Sequence, residues 1–442
     1  MTHNALAESR LSKLIAFGFP SIMMWIFTSI YTVVDGFFVS NFVGKIPFAA
    51  LNFIFPFVLV LGSFGFMFGT GGGALVAKTI GEGESEKANA IFSFVVYSSL
   101  LCGIIMAIVG IVSIRPFAIF LGAEGQFLED SILYGRILLL AIPAYILQTA
   151  FQCLFATAGK PAIGFYVTLA AGIVNIILDA IFIVIFSWGL AGSAFATLIS
   201  QCVGGFVPLL YFARNNPSLL RLGRAKWSLN ILLKTCTNGL SELLSNIAMS
   251  IVAMLYNVQL LKYAGEDGVA TFGVLMYVGM IFQAIFIGFS LGNAPIISYH
   301  YGAQNRQKLH EAFKNSLIFI ASCALVMFAA SLIFAKSLAA IFVGYDEGLF
   351  ALTIHAFSIF SFSFLFSGFA VFGSSFFTAL NDGITSATIS FLRTLVFEIL
   401  AVLILPIFWL TDGIWASIVV ADVMAMLLTI FFLWLKRKKY QY

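Results

Sequence analysis

The chain has 442 residues, of which 61% are hydrophobic and 10% charged, with mean hydropathy +1.04 and a formal net charge of +4. Soluble globular domains are about half apolar and about a quarter charged, so that class is excluded. The small positive balance reports membrane topology and does not imply nucleic-acid binding. Ten-residue strands of alternating hydropathy are absent, which excludes a β-barrel.

Twelve apolar stretches are long enough to span about 30 Å of hydrocarbon. They fall near 14–39, 47–77, 89–113, 132–156, 162–186, 190–212, 235–261, 268–298, 315–342, 350–378, 384–410 and 412–435. The leading MTHNALAESRLSK is short and polar, and the apolar run after it is too long for a cleaved signal, so none is expected. Seventeen of the 23 Lys and Arg fall in segments on the side of the two termini, five on the other side, and Arg393 within a helix. That bias places both termini in the cytoplasm of a multi-pass protein of the cell membrane. The closing KRKK reads as a stop-transfer anchor against anionic headgroups.

The first stretch carries Asp35 inside MMWIFTSIYTVVDGFFV (Met23 to Val39). A charge at such depth costs on the order of 3 kcal/mol, and intramembrane acids are functional by default. Pro20 in the same stretch and Pro56 in the next each remove a helical hydrogen bond and kink the helix. Pro20 is therefore a candidate hinge, with a static kink as the alternative. The run GTGGGALVAK (Gly69 to Lys78) lacks the spacing of a phosphate loop and reads as close helix packing by small residues. No Walker motif occurs, so ATP is not the expected energy source, and no nucleophile–base or metal set points to an enzyme. In the fifth stretch Asn175 and Asp179 are four residues apart and share one helix face. Thr197 of the sixth adds a hydroxyl. Carboxylate, amide oxygen and hydroxyl are hard oxygen donors suited to Na⁺ or to proton exchange.

Other intramembrane polar groups are secondary candidates. Gln148, Gln152, Gln201, Gln283 and Asn257 line a cleft or join helices by hydrogen bonds. Glu242, two turns into the seventh stretch, is read as an interfacial carboxylate or a site residue. Arg393 and Glu398 read as a neutralising pair, Asp422 as a structural group or a site residue, and His355 as structural. The five Cys all lie in apolar stretches without metal-ligand spacing, so neither a disulfide nor a metal site is expected beyond Na⁺ at the coupling site.

The longest polar loop, Arg214 to Asn230, separates six stretches from six, giving lobes 1–213 and 234–442 around a linker 214–233. A shift of 221 residues aligns the halves without a gap. GEGESEKANAIF falls on GAQNRQKLHEAF and FATA on FFTA. Six spans return each half to the same side, so the repeats are parallel and related by a pseudo-twofold axis along the membrane normal. The expected fold is an all-α integral membrane protein of twelve helices in two six-helix lobes around a cleft. Asp35 pairs with Tyr256, Asp179 with Leu400 and Thr197 with Ile418, so the ion site is expected in the first lobe alone.

On Pro20, Asp35, the loop GEGESEKA, Asn175-x-x-x-Asp179 and Thr197 in GSAFAT, the chain resembles the multidrug and toxic compound extrusion (MATE) family over about residues 10 to 435. The resemblance implies a secondary antiporter that exports lipophilic organic cations in exchange for H⁺ or Na⁺, with no cofactor. It places the coupling cation on Asp35, Asp179, Asn175 and Thr197. Many members also use acids in spans seven and ten; here span ten has none. The alternative is a flippase for lipid-linked oligosaccharides from the same superfamily, though such proteins commonly have fourteen spans and a basic cavity. A channel would need a continuous polar pore, and nothing repeats that way. A monomer in the lipid bilayer is expected, with lipophilic cations as partners and no nucleic acid.

Overall fold

The computed structural model describes residues 3–225, 227–344 and 346–442; Lys226, one of the seventeen basic residues counted above, lies outside them. The described residues are almost wholly helical. Hydrocarbon leaves the backbone no solvent partner, so each crossing must satisfy its own N–H and C=O groups. The first lobe holds α1 (Leu11–Val43), α2 (Ile46–Gly81), α3 (Ser85–Phe120), α4 (Gly125–Thr157), α5 (Pro161–Ile185) and α6 (Gly189–Ala213). The second begins with α7 (Leu229–Gly265), α8 (Asp267–Gly302), α9 (Arg306–Val343) and α10 (Glu347–Ala379). The remaining helical stretch, Gly383–Tyr440, leaves helical space at Leu410 (φ 50°, ψ −128°) and so forms two crossings, α11 (383–409) and α12 (411–440). The twelve expected helices in two repeated lobes are therefore present.

Several helices run past their apolar stretches because caps, not hydropathy, end them. The Ser228 hydroxyl accepts from the Ile231 amide at 3.4 Å and starts α7 six residues earlier than the hydropathy suggested. Asn305 and Asp346 cap α9 and α10 in the same way, at 3.1 and 2.9 Å. One consequence is a correction. Glu242 lies thirteen residues into α7, roughly 20 Å along its axis, deeper from the helix start than the two turns counted from the apolar stretch.

Each lobe has its own aromatic core. Phe92, Phe151, Phe155 and Phe212 pack in the first, with Phe151 stacked on Phe212 at 5.6 Å. Phe286, Phe289, Phe364, Phe372, Phe376 and Trp415 pack in the second. The glycines of α2 face different neighbours. Gly69 lies against the Ala150 backbone of α4, Gly72 against Val95 of α3 and Gly71 against Gly239 of α7.

The lobes meet through backbone. An added Cβ at Gly71 would stand 2.6 Å from the Gly239 amide, and one at Gly292 3.4 Å from the Gly18 Cα. The shift of 221 residues carries Gly18 to Gly239 and Gly71 to Gly292, so these are one contact made twice. Gly81 similarly abuts the Tyr299 carbonyl and Gly302 that of Lys78, another pair exchanged by the shift. All these contacts lie in the halves of α1, α2, α7 and α8 nearest the termini.

Candidate functional site

The first-lobe acids sit where α1, α5 and α6 converge. Gly172 of α5 lets α1 approach closely, since a Cβ there would stand 2.5 Å from the Phe27 ring and 3.0 Å from that of Tyr31. Ser200 ties α6 to α5 by donating to the Ala171 carbonyl at 2.8 Å. Both acid-bearing helices change pitch beside their acids. α1 becomes π-helical over Val39–Val43, one turn beyond Asp35, and α5 does so over Ala180–Ile185, directly after Asp179. Such wide turns break the 3.6-residue register and are frequent at functional positions.

Asp179 is 0% exposed, and neither of its carboxyl oxygens meets a hydrogen-bond donor among the described residues. Asp35 is partly exposed and lies close enough to interact directly with it. The Ser193 hydroxyl donates to Asp35 Oδ1 at 3.0 Å. Asn175, 2% exposed, donates from Nδ2 to Thr197 Oγ1 at 3.4 Å, which leaves its own amide oxygen free. The structure thus brings the four residues singled out in the sequence into one region of the first lobe. Two carboxyls, a free amide oxygen and two hydroxyls form a hard-oxygen set. Its charge requires a cation, because a buried carboxylate without a partner is costly.

Two members of this region were not singled out from the sequence. Ser193 is one, and Tyr134 of α4 is the other: it is 2% exposed and within electrostatic reach of both acids and of Ser193. Two of the hydroxyls of α6, at positions 193 and 197, are one turn apart, so Ser193 was findable as a residue sharing Thr197's face. Nothing in the sequence marks Tyr134 out from the chain's other tyrosines.

The secondary candidates scatter. Gln148 is buried within the first lobe against Gly204 of α6, with its Oε1 unpartnered among the described residues. Gln152 and Gln283 are half-buried and Asn257 is exposed. Tyr256 is buried within the second lobe, where its hydroxyl meets that of Ser417 at 2.8 Å. Asp422 is also buried there. Pro20 lies within the unbroken α-helical part of α1. His355 has a partner, Asp412, at 2.8 Å in an exposed pair. The second lobe gathers ionisable groups as well. Glu242, Glu398 and Asp422 all lie within electrostatic reach of Arg393 in the second lobe. They do not occupy the positions that the 221-residue shift assigns to Asp35 and Asp179.

The family model MatE matches residues 20–181 and again residues 243–404, once in each lobe. The multidrug export protein MepA of Staphylococcus haemolyticus is 26% identical over 98% of this chain and 95% of its own length. That of Staphylococcus aureus is 23% identical over 96% and 93%. Among solved structures, that of a MATE transporter in complex with MaL6 superposes with a TM-score of 0.93 at 23% identity, covering 99% of this chain and 98% of the other. The outward-facing conformation of a multidrug resistance MATE family transporter gives 0.93 at 22% over the same shares. With the repeated fold, the paired family matches and near-complete coverage, the chain belongs to the MatE family of membrane transporters.

Proposed function

We propose that the protein is an ion-driven antiporter that exports lipophilic organic cations, taking up H⁺ or Na⁺ on Asp35, Asp179, Asn175 and Thr197 of its first lobe. The observation that carries this reading is Asp179, fully buried with both oxygens unpartnered and a second carboxyl beside it. Such a pair is stable only with a cation bound, so binding and release of that cation must alter the lobe that holds it. The names of the relatives, multidrug export proteins, support the export direction.

The basic loops support cytoplasmic termini. In that orientation the glycine contacts bring the lobes together at the cytoplasmic end, which supports an outward-facing state. Cation–π contact and adaptable Phe and Met surfaces favour lipophilic monocations as cargo.

The test is dye efflux from proteoliposomes under an imposed pH or Na⁺ gradient. Asp35→Asn should reconstitute normally and lose gradient-driven efflux of cationic dyes. Full export by a well-folded Asp35→Asn protein, or displacement of bound dye only by anionic compounds or lipid-linked sugars, would refute the reading.

A further inference from the structure

A cavity of about 350 Å³ opens at the terminus side of the molecule, where α2 of the first lobe meets α7, α8, α12 and the start of α11 in the second. It has room for about ten waters. The close approach of the lobes builds one wall. Gly302 of α8 abuts the Lys78 carbonyl of α2, and the Lys78 ammonium lies over the Tyr301 ring, 5.5 Å from its centre. Tyr301 meets Tyr440 edge to face at 5.8 Å, and the Lys439 ammonium lies 4.7 Å from the Tyr440 ring centre. Two lysines, one from each lobe, thus flank a touching pair of tyrosines. All four residues line the cavity, together with the exposed Lys234 of α7.

The charges at this cavity do not balance. Its lining carries one acid, Asp382, whose side chain is 9% exposed and already engaged. Tyr440 donates to it at 2.8 Å, the Thr385 amide at 3.3 Å, and the Lys436 ammonium lies at 3.4 Å. Glu82 of α2 pairs with Lys78 at 3.7 Å, but both side chains are about one-third exposed, where such a pair is weak. Lys234 and Lys439 make no ion pair among the described residues. Four ammonium groups, those of Lys78, Lys234, Lys436 and Lys439, against the carboxylates of Asp382 and Glu82 leave a net charge of +2. The start of α11 adds to it. Gly383 and Ile384, whose first-turn amides have no partner within the helix, also line the cavity, and a helix N-terminus favours an anion.

The positive-inside bias accounts for lysines at this end. It does not account for three of them converging on one cavity from α2, α7 and α12. Nor does the repeat: the shift of 221 residues places Tyr299 opposite Lys78 and Ser218 opposite Lys439, so the other half lacks this set.

We propose that the cavity binds a phosphate group, carried by a lipid headgroup or free in solution, between Lys78 of the first lobe and Lys234 and Lys439 of the second. Such a ligand bridges the lobes. It binds best while α2 lies against α8, and so favours that state over one in which the two helices part. Binding rests on the cavity alone; its effect on transport rests on the antiport reading.

The experiment is native mass spectrometry of the delipidated full-length protein with dioctanoyl phosphatidylglycerol, dioctanoyl phosphatidylcholine or inorganic phosphate. Phosphatidylglycerol or inorganic phosphate should form a one-to-one adduct, and phosphatidylcholine, whose own ammonium cancels its phosphate, should not. Lys78→Gln and Lys439→Gln should each weaken the adduct by about tenfold, equivalent to about 1.4 kcal/mol, and Lys78→Arg should restore it. Arg437→Gln with Lys438→Gln removes two exposed charges outside the lining and should leave it unchanged. Displacement of the lipid by inorganic phosphate assigns the site to the phosphate group itself; a lipid that phosphate does not displace assigns it to the headgroup. Spin labels on Ser85→Cys and Gln307→Cys, in a cysteine-free background, should report a shorter mean distance across this end when the probe is bound, and no such change in Lys78→Gln. The proposal is overturned if neither phosphate source binds, if the Arg437–Lys438 double variant weakens binding as much as Lys78→Gln does, or if Lys78→Gln leaves binding intact, which would put the anion on the second lobe alone. A site that behaves as described in a protein that exports no dye would sustain the proposal and defeat the antiport reading.

Discussion

Gly239→Ala should hold the closed end of the transporter apart. A Cβ at position 239 would overlap the Met67 carbonyl oxygen, standing 2.6 Å from its carbon and 2.8 Å from the Met67 Cα. These neighbours are all backbone, so no side chain can swing away. Ordinary contact begins near 3.4 Å, and α2 and α7 must part by on the order of 1 Å to reach it. Overpacking of this kind costs typically 1–3 kcal/mol, and a site walled by backbone belongs near the upper figure. The gain in helix propensity from Gly to Ala applies to both conformations and cancels. About 3 kcal/mol spent only in the closed state shifts the balance between states by about 150-fold. The repeat-equivalent change is the control. At Gly18 an added Cβ meets the Asn293 amide nitrogen at 2.5 Å, a side chain that can move at the cost of its 3.0 Å bond to the Phe289 carbonyl. That loss is about 1 kcal/mol, or about fivefold. Spin labels on Ser85→Cys and Gln307→Cys in a cysteine-free background, both exposed at this end on different lobes, would report the separation by electron–electron resonance. Gly239→Ala should lengthen the distance in most molecules and Gly18→Ala in few. The reverse order, or an unaltered distance in Gly239→Ala, would refute the argument.

Asp35→Asn and Asp179→Asn should each abolish ion-driven dye efflux, and the double variant should be no worse, because a shared site fails as a unit; losses that simply add would indicate two sites. Removing one member of the Asn175–Thr197 hydrogen bond should weaken half-maximal ion activation by about 2- to 13-fold, the equivalent of 0.5–1.5 kcal/mol, and removing both should do little more. Leu400→Ala and Ile418→Ala, at the repeat partners of Asp179 and Thr197, should leave ion coupling nearly intact in the same proteoliposome assay. At the closed end, burial works to raise the Asp382 carboxyl, but bonds from Tyr440 at 2.8 Å and Thr385 and the Lys436 ammonium at 3.4 Å outweigh it and hold it below the ordinary aspartate range. Its stabilisation of the C-terminal helix is thus present above about pH 4 and lost as the pH falls through the native value. Asp382→Asn should remove that acid-side fall from the Tm-against-pH curve.

The twelve crossings were legible because hydrocarbon thickness fixes the length of an apolar run. Their true ends were not, because Ser228 and Asn305 extend helices by local hydrogen bonds that hydropathy ignores. Asp35, Asn175, Asp179 and Thr197 stood out as polar groups in apolar runs, two of them on one helix face. Tyr134 did not, since a tyrosine in such a helix carries no local mark and its relation to the acids is purely tertiary. Register did not reveal the charges of the second lobe. Asp35 and Asp179 do fall on Tyr256 and Leu400, yet Glu398 and Asp422 come within electrostatic reach of Tyr256 from other positions, and the helix pitch changes beside Glu398 at Leu392–Phe397.

Symmetry and asymmetry therefore divide the work between two parts of the molecule. The closed end is built from equivalent halves, Gly18 with Gly292 and Gly239 with Gly71, and Gly81 and Gly302 against each other's helices. Contacts of that kind involve no charge, so they fix how the lobes meet without sensing which ion is bound. The charged sites break the symmetry. The first lobe sets two carboxyls among neutral oxygens, whereas the second sets its carboxyls around Arg393. A ligand moves a two-state equilibrium only by its differential affinity for the two states. A cation bound at Asp35 and Asp179 can supply that difference only if the oxygens around it rearrange when the lobes change their contact. The helix that carries Asp35 also carries Gly18, so one continuous helix runs from the proposed ion site to the contact between the lobes. Coupling along α1 requires no relay of side chains, since a shift of the helix that improves ion coordination at Asp35 must alter the fit of Gly18 against Gly292 and Asn293.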